Sequence, residues 1–265
     1  ETKLTPSACS SGRAGSPVRI LGSPNGVVLD RMSAATVLDI SGASFLEIEN
    51  LALTGGSAGL YGSGASDITL RNVQFRDNQT GVSLAGAAVR HVFERCLAAN
   101  NSSHAFLSSS TAVRSNQWLN GVMWNSQAII HAATNQALTV SNSILGQAGT
   151  ALFGNQAVAG NHNVVWGLPL TNGVGGGYVK FTALQSSTLG WDRCAYADPL
   201  FANTAGGDYH LRSPAGRYDT NLMDFVMTDT NASPAIDLGD PAEDVTGIEP
   251  DPNGSRLNAG LYGGT

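Results

Sequence analysis

The sequence predicts an all-β fold, a parallel β-helix in which the chain winds through a stack of coils. From Val37 to about Gly167 the chain repeats itself, in blocks that begin at Val37, Gly59, Gly81, His104, Gln127 and Thr150. The spacing between consecutive block starts varies by no more than one position. A fixed period in the twenties is typical of a solenoid, where each repeat buries its apolar face against its neighbours.

Strands rather than helices are predicted within each block. No block contains ten residues of helical periodicity, and the Leu-x-x-Leu-x-Leu frame of leucine-rich repeats is absent. Short alternating runs such as Leu46/Ile48 and Leu138/Val140 are typical of strands. The 32 glycines, together with many Ser and Asn residues, supply the corners that a coil needs.

The remaining elements follow from the two ends of the repeat. Two short apolar runs at 17–22 and 26–30 predict the strands of a leading coil, so that about six to eight coils are expected through residue 167. After Trp166 the period fails, and residues 168–265 are predicted to form an irregular segment that packs on the helix and caps it. Residues 1–167 and 168–265 then make one structural domain, because an uncapped last coil exposes its core and unpaired strand edges.

The composition argues against nucleic acid and anionic membranes as partners. The 265 residues carry a formal net charge of −6 with only two lysines, whereas nucleic-acid-binding and anionic-membrane-binding surfaces are basic. No apolar run reaches membrane-spanning length, and no signal peptide is present. Because the chain starts at Glu1 in a loop-like stretch, we expect that an upstream signal and leading coil were removed or lie outside this sequence.

Alternation along the first strand of each block separates core positions from outward ones. The predicted core positions are Leu38/Ile40, Leu60, Val82/Leu84, Ala105/Leu107, Ala128/Ile130 and Ala151/Phe153. The predicted outward positions are Asp39, Tyr61, Ser83, Phe106, Ile129 and Leu152. At the corner after the second strand, an internal ladder is expected from Asn50, Asn72, Arg95, Gln117, Asn142 and Asn163. Beside this ladder, Glu49, Arg71 and Glu94 are predicted to line up as a solvated row of alternating charge.

Motifs at both ends of the chain resemble those of one family. The tail contains DPLF, GGDYHLRSPAGRYD, SPAIDLGDP and EPDPNGSRLNAGLYGGT, and the start contains AGSPVRILG. These segments are similar to those of secreted bacterial right-handed parallel β-helix proteins with pectate-lyase-like repeats. The resemblance implies a right-handed helix and a secreted or cell-surface location. Because that group mixes lyases, epimerases, hydrolases and uncharacterised surface proteins, the resemblance implies a fold rather than one activity.

Catalytic groups are scarce on the predicted outward face of the first sheet. The resemblance implies that a lyase would use this face, with acidic residues holding calcium and Arg or Lys as the base. The outward positions include one carboxylate, Asp39, and no Arg or Lys. The best acid/base candidates are therefore His104 and His131, with Arg114 as a third. The alternative is that these histidines are turn residues at coil corners.

Two functions stay open from the sequence. The first is an extracellular or cell-surface module with a scaffold, assembly or glycan-contact role, whose partner is a polysaccharide or another copy of the chain. The alternative is a polysaccharide lyase or epimerase whose site lies on loops or upstream residues. Aromatic residues along one groove would favour glycan contact.

The acidic tail and the cysteines give two further predictions. The carboxylates of Asp237, Asp240, Asp244, Glu249 and Asp251 suit calcium, which takes six to eight oxygen ligands, and no other cofactor is expected. The alternative is that these are solvated loop acids. Cys96 is predicted to be a buried free thiol, whereas Cys9 and Cys194 lie outside the repeats and could pair.

Two outward columns are predicted to be apolar and therefore covered. The first contains Phe106, Ile129 and Leu152, and the second contains Leu97, Leu119, Ile144 and Val165. Soluble monomers seldom leave such patches bare. We expect residues 168–235 to fold back over at least one column, or a partner subunit to cover both.

Overall fold

The computed structural model describes residues 5–6, 10–23, 26–109, 114–132, 136–148, 158–167, 191–243 and 256–262. Within these ranges the chain is all-β, with three parallel sheets along a solenoid and two antiparallel hairpins after it. Five coils contain one strand from each sheet, fewer than the six to eight coils predicted. The first part of the block that begins at Thr150, up to residue 157, lies outside the described residues.

Strands recur in the same order in each coil, and each sheet collects one strand per coil. The five-stranded sheet contains β3 (Leu38–Asp39), β6 (Ala58–Ser63), β9 (Thr80–Ala85), β12 (His104–Ser108) and β15 (Ala128–Ala132). The eight-stranded sheet contains β1 (Val18–Leu21), β4 (Ser44–Glu49), β7 (Ser66–Arg71), β10 (Val92–Glu94), β13 (Arg114–Leu119), β16 (Gln136–Ser141), β18 (Val158–Asn161) and β20 (Trp191–Asp192). The seven-stranded sheet contains β2 (Val27–Asp30), β5 (Leu51–Thr54), β8 (Gln74–Arg76), β11 (Leu97–Ala99), β14 (Val122–Trp124), β17 (Ile144–Gly146) and β19 (Val164–Trp166).

The segment after the solenoid forms two short hairpins and a single helical turn. Strand β21 (Phe201–Asn203) pairs with β22 (Asp208–Leu211), and a 3-10 helix at Thr204–Gly206 connects them. Strand β23 (Arg217–Asp219) pairs with β24 (Asp224–Val226).

The core runs through the inside of the coils as stacked apolar columns. In the five-stranded sheet one inward column contains Leu38, Leu60, Val82, Phe106 and Ile130, all fully buried. Aromatic rings from two sheets meet within this core, where Phe93 of β10 lies edge-on against Phe106 of β12 with ring centroids 5.8 Å apart. Full burial of such a side chain stabilises the fold by about 1.5–3 kcal/mol.

The prediction that Phe106 and Ile129 point outward is wrong. Both side chains are fully buried in the core. Leu107, predicted to point inward, takes the outward position and is in register with His131 on the next coil. Leu152, the third predicted member of this column, lies outside the described residues.

Coil length explains this register error. Leu60 pairs with Val82, and Val82 pairs with Phe106, so the second interval is two residues longer than the first. The sequence repeat instead aligned Val82 with Ala105, one residue before the observed partner. An error of one residue exchanges the two faces of a strand, because side chains alternate with a period of two, and this accounts for Phe106 and Leu107. Ile129 is a different case, because Ile129 and Ile130 are both buried in the core.

The predicted ladder is confirmed at four of its six positions. Left-handed backbone with φ between 50° and 59° occurs at Asn50, Asn72, Arg95, Asn120, Asn142 and His162, and Asn tolerates this conformation best among residues with a Cβ. The predictions for Gln117 and Asn163 are wrong, because Gln117 lies within β13 and Asn163 follows the turn. The ladder is internal only at its far end, since Asn142 is fully buried, whereas Asn72 is exposed and donates its amide to Asn50 Oδ1 over 3.4 Å.

The predicted row of alternating charge is confirmed. Arg71 lies 2.9 Å from a Glu94 carboxylate oxygen and 3.3 Å from Glu49, and Arg19 extends the row to Glu49 over 3.4 Å. These side chains are partly solvated, so each pair contributes little to stability.

The prediction for Cys96 is confirmed, since its thiol is free and fully buried. Burial raises the pKa of Cys96 to about 12. Cys194 is also a free, half-buried thiol, so it does not form the bridge considered from the sequence. Its suggested partner Cys9 lies outside the described residues.

The C-terminal segment covers the outer face of the seven-stranded sheet. The outward apolar column there contains Leu97, Val122, Ile144 and Val164. Together with Phe201, Tyr209, Ala235 and Ala259 these residues form a second buried cluster. Two predicted members of the column are wrong, because Leu119 lies in the eight-stranded sheet and Val165 points into the main core.

Candidate functional site

The two histidine candidates lie together on the outside of the solenoid. His104 is on β12 and His131 on the neighbouring strand β15, and their ring centroids are 5.6 Å apart with the planes at 83°. The Ser103 hydroxyl is 2.7 Å from His104 Nδ1. Burial, reinforced by the nearby His131, lowers the pKa of His104. A neutral His104 can accept a proton near neutral pH.

The rest of a catalytic arrangement is not assembled around this pair by the described residues. The column that contains His131 runs through Leu107 and Ser83 to Tyr61 and Asp39. The carboxylate of that column is therefore four strands away. Arg114, the third candidate, begins β13 in the eight-stranded sheet rather than the five-stranded one.

The acidic tail is described at only two of its five predicted calcium ligands. Asp237 and Asp240 are described, whereas Asp244, Glu249 and Asp251 lie outside the described residues. The Asp240 backbone N–H donates to Asn142 Oδ1 over 2.9 Å, and its carboxylate is 3.8 Å from His162 Nδ1. No group of three His, Cys, Asp or Glu side chains that could hold a metal occurs in the described part of the chain. The calcium site stays a prediction.

A polar cleft of about 460 Å³ lies at the corner of the coils that follows the seven-stranded sheet. We call it the corner cleft, and its lining consists of Asp77, Asn100, Trp124, Asn125, Gln147, Thr204 and Ala205. Four of these residues come from equivalent corners on four consecutive coils: Asp77, Asn100, Asn125 and Gln147. Thr204 and Ala205 come from the 3-10 helix of the C-terminal segment.

Left-handed turns place the four polar side chains of the cleft on the surface. Asp77, Asn100, Asn125 and Gln147 have φ values of 58°, 56°, 47° and 53°. All four are exposed. Asn125 donates its side-chain amide to Asn100 Oδ1 over 2.7 Å, which fixes the relative orientation of two neighbouring amides.

The residue after each turn points inward and holds the corner in place. Asn78 Oδ1 accepts from the Gly56 backbone N–H over 3.0 Å, and Asn101 Oδ1 accepts from the Asn78 N–H over 3.2 Å. Ser126 Oγ accepts from the Asn101 N–H over 3.3 Å. These buried bonds join successive coils, so the polar row outside them is carried on a rigid support.

Two tryptophans lie along the same side of the solenoid. Trp124, Gly146 and Trp166 are in register on three consecutive strands, so both rings project from one face. Trp124 is held by Phe201 at a centroid distance of 4.9 Å and is 5% exposed. Trp166 is 40% exposed. Its carbonyl accepts from the Gln147 backbone N–H over 3.0 Å, which places Trp166 beside the end of the polar row.

The corner cleft can bind a polar, uncharged ligand. Amides donate and accept hydrogen bonds, and the hydroxyl of Thr204 does both. Asp77 is the one ionisable residue in the lining that the structure describes. An exposed indole adds an apolar surface next to these polar groups.

Sequence reasoning missed this cleft although part of its pattern is visible in the sequence. The dipeptides Asp77–Asn78, Asn100–Asn101 and Asn125–Ser126 recur once per coil. They form a second polar column beside the one at Asn50 and Asn72. The contribution of Thr204 and Ala205 has no counterpart in the repeat.

The three parallel sheets and the stacked polar corners define a β-helix protein. Residues 18–166, more than half of the chain, match the family described as right handed beta helix region, and the chain belongs to that family. The predicted right-handed parallel β-helix is thereby confirmed. No curated protein matches the sequence.

A solved structure of a polysaccharide lyase is similar over part of its length. The crystal structure of alginate lyase from Paenibacillus sp. str. FPU-7 has 14% sequence identity to this chain and a TM-score of 0.43. The similarity covers 62% of this chain and 65% of that one, slightly less than two thirds of the lyase chain. In the described ranges of the present chain, no helix is long and apolar enough to cross a membrane.

Proposed function

We propose that this protein is a secreted or cell-surface glycan-binding module and that the corner cleft holds a polysaccharide chain. The observation that carries the proposal is the row of Asp77, Asn100, Asn125 and Gln147 along one cleft. These side chains repeat once per coil, at about the 4.8 Å spacing of neighbouring strands. An extended glycan presents its hydroxyl groups with a comparable repeat, one sugar ring after another.

The chemistry of the lining supports a sugar ligand. Hydroxyl groups of a sugar both donate and accept hydrogen bonds, as do the amides of Asn100, Asn125 and Gln147. The C–H face of a sugar ring is apolar and can pack on the exposed ring of Trp166. The row and the ring are held by the coil backbone, so little ordering is required when a ligand binds.

The same lining favours binding over turnover. Elimination from a uronic acid needs a base beside the sugar ring and a positive charge near its carboxylate. The described lining offers one carboxylate and no cation. The His104–His131 pair lies on the five-stranded sheet, whereas the cleft follows the seven-stranded one.

Glycine substitutions in the cleft test the proposal. Glycine tolerates positive φ, so Asn100→Gly and Asn125→Gly remove the amides without straining the corner. A matched control is Asn72→Gly, because Asn72 is an exposed, left-handed ladder residue at a different corner, the one that precedes the seven-stranded sheet. Oligosaccharides that bind on a glycan array are then titrated by calorimetry. We expect each cleft variant to bind about five-fold or more weakly, the effect of one lost hydrogen bond, and the control to bind normally.

Two outcomes would overturn the proposal. In the first, Asn100→Gly, Asn125→Gly and the control bind glycans as tightly as the unmodified protein. In the second, incubation with acidic polysaccharides produces unsaturated sugars, detected by their ultraviolet absorbance. The second result would establish the lyase alternative instead.

A further inference from the structure

We propose that His104 and His131 form a two-histidine binding site for a divalent transition-metal ion on the outer face of the five-stranded sheet. This inference is independent of glycan binding, because the pair and the corner cleft use different sheets. The ion would bridge two consecutive coils, since one ligand comes from β12 and the other from β15.

The distance between the rings suits a shared ion. Metal–nitrogen bonds to histidine are about 2.0–2.1 Å long, so two imidazoles in tetrahedral arrangement around one ion have ring centroids roughly 5 Å apart. The observed separation is 5.6 Å. The ring planes are inclined at 83°, so the two imidazoles are not stacked face to face.

Ser103 supplies the supporting contact that metal-binding histidines usually have. A ligating histidine commonly donates its second ring N–H to an oxygen, and this contact fixes the tautomer and the ring orientation. The Ser103 hydroxyl is 2.7 Å from His104 Nδ1. With Nδ1 engaged by oxygen, Nε2 is the nitrogen of His104 that can bind the ion.

The pair lies partly open to solvent, so water can reach an ion bound by the two rings. Both histidines are only half-buried. In the sheet His104 is flanked by Thr80 and Ala128, and His131 is preceded in its column by Leu107. None of these neighbours carries a charge that would repel a cation. Water would therefore complete the coordination, and the imidazole ligands favour copper, nickel or zinc over calcium or magnesium.

Calorimetry with the full chain, free of any affinity tag, tests this site. Copper, nickel and zinc chlorides are titrated separately, with calcium chloride as the control ion. We expect one ion per chain, with copper bound more tightly than nickel or zinc, and no uptake of calcium at this pair. His104→Gln and His131→Gln should each weaken binding by at least about ten-fold, the loss that even a supporting contact causes.

Two additional variants separate ligation from general effects on the fold. Ser103→Ala should weaken binding less than loss of a ligand, because it removes only the supporting contact. His210→Gln is the matched control, since His210 is a partly exposed histidine in the C-terminal hairpin. It should bind copper like the unmodified protein.

Electron paramagnetic resonance of the copper complex keeps the proposal testable even if a variant does not fold. The unmodified protein should give a spectrum with two nitrogen ligands. A spectrum from oxygen ligands alone, or equal copper affinity in His104→Gln, His131→Gln and the unmodified chain, would overturn the proposal.

Discussion

His91 places a polar ring in the apolar core, and its replacement should alter the pH dependence of stability. Its side chain is 0% exposed, and it is in line with Ile68 and Asn116 in the inward column of the eight-stranded sheet. Its backbone N–H donates to Asn116 Oδ1 over 3.0 Å. Neither ring nitrogen has a hydrogen-bond partner among the described residues, and the ring packs edge-on against Phe93.

Burial lowers the pKa of His91 from 6.5 to about 4, an effect that Asp67 opposes and Arg90 reinforces. Between these pH values the unfolded chain binds a proton at His91 and the folded chain does not. Stability is therefore highest above pH 6.5 and falls as the pH is lowered towards 4. Each pKa unit corresponds to about 1.4 kcal/mol, so the total loss at this residue is about 3 kcal/mol.

The perturbation is His91→Leu, measured by urea unfolding at a series of pH values from 7 to 4. The variant should lose most of the decline in unfolding free energy across this range. At pH 7 it should also be more stable than the unmodified protein, by about 1–3 kcal/mol, because a buried polar group without a partner is removed. A change in urea midpoint at constant slope identifies a change in stability.

Other groups with shifted pKa values also contribute to the pH dependence of stability, and they provide the control variants. The pKa values of His104 and His162 are also lowered by burial, so His104→Gln and His162→Gln should each remove part of the decline. Burial raises the pKa of Glu243, which acts in the opposite direction. Ion pairing lowers the pKa of Asp67, whose contribution is lost below this range. If His91→Leu kept the full decline between pH 6.5 and 4, the assignment to His91 would be refuted.

Three further predictions concern other positions. Cys96 should react with a thiol reagent only as fast as the protein unfolds, because its thiol is buried and its pKa is raised to about 12; rapid labelling under native conditions would contradict this. Gly121→Ala should destabilise the protein by about 1–3 kcal/mol, since the added Cβ would lie 2.7 Å from the Cys96 carbonyl oxygen, and an unchanged melting temperature would show that the corner yields. Phe225→Ser should change the unfolding free energy by less than about 0.5 kcal/mol, because Phe225 is 68% exposed on its hairpin.

The repeat made the architecture predictable, and local chemistry made the corners predictable. Each coil turns at this corner through a residue with left-handed backbone, a conformation that Asn tolerates well. The recurrence of Asn50, Asn72 and Asn142 in the sequence therefore indicates the turn directly. The charge row at Glu49 and Arg71 followed in the same way from equal spacing. Such features depend on neighbouring coils alone, so a period is sufficient to find them.

The corner cleft was not predictable from the period, because one of its two sides is formed by residues outside the repeat. Its polar row comes from successive coils, but its other side comes from Thr204 and Ala205 in the segment after the repeat. The position of that segment is set by Phe201 and Tyr209 packing on the outer face of the seven-stranded sheet. Nothing in the composition of a hairpin specifies which coil it will cover.

The length of each coil determines which side chains lie on the outer face of the five-stranded sheet. The same difference in coil length that caused the register error therefore also affects the proposed metal site. If the coil after Val82 had kept the shorter length found between Leu60 and Val82, position 104 would be the structural equivalent of Val82. His104 would then point into the core. The longer interval that is observed gives that core position to Phe106 and places His104 in register with Thr80 instead. Ala105 and Phe106 are both buried in the core, so the strand does not alternate strictly there, and His104, two residues before Phe106, is only half-buried. The longer coil therefore keeps an apolar core and leaves the His104 ring beside His131 at the surface.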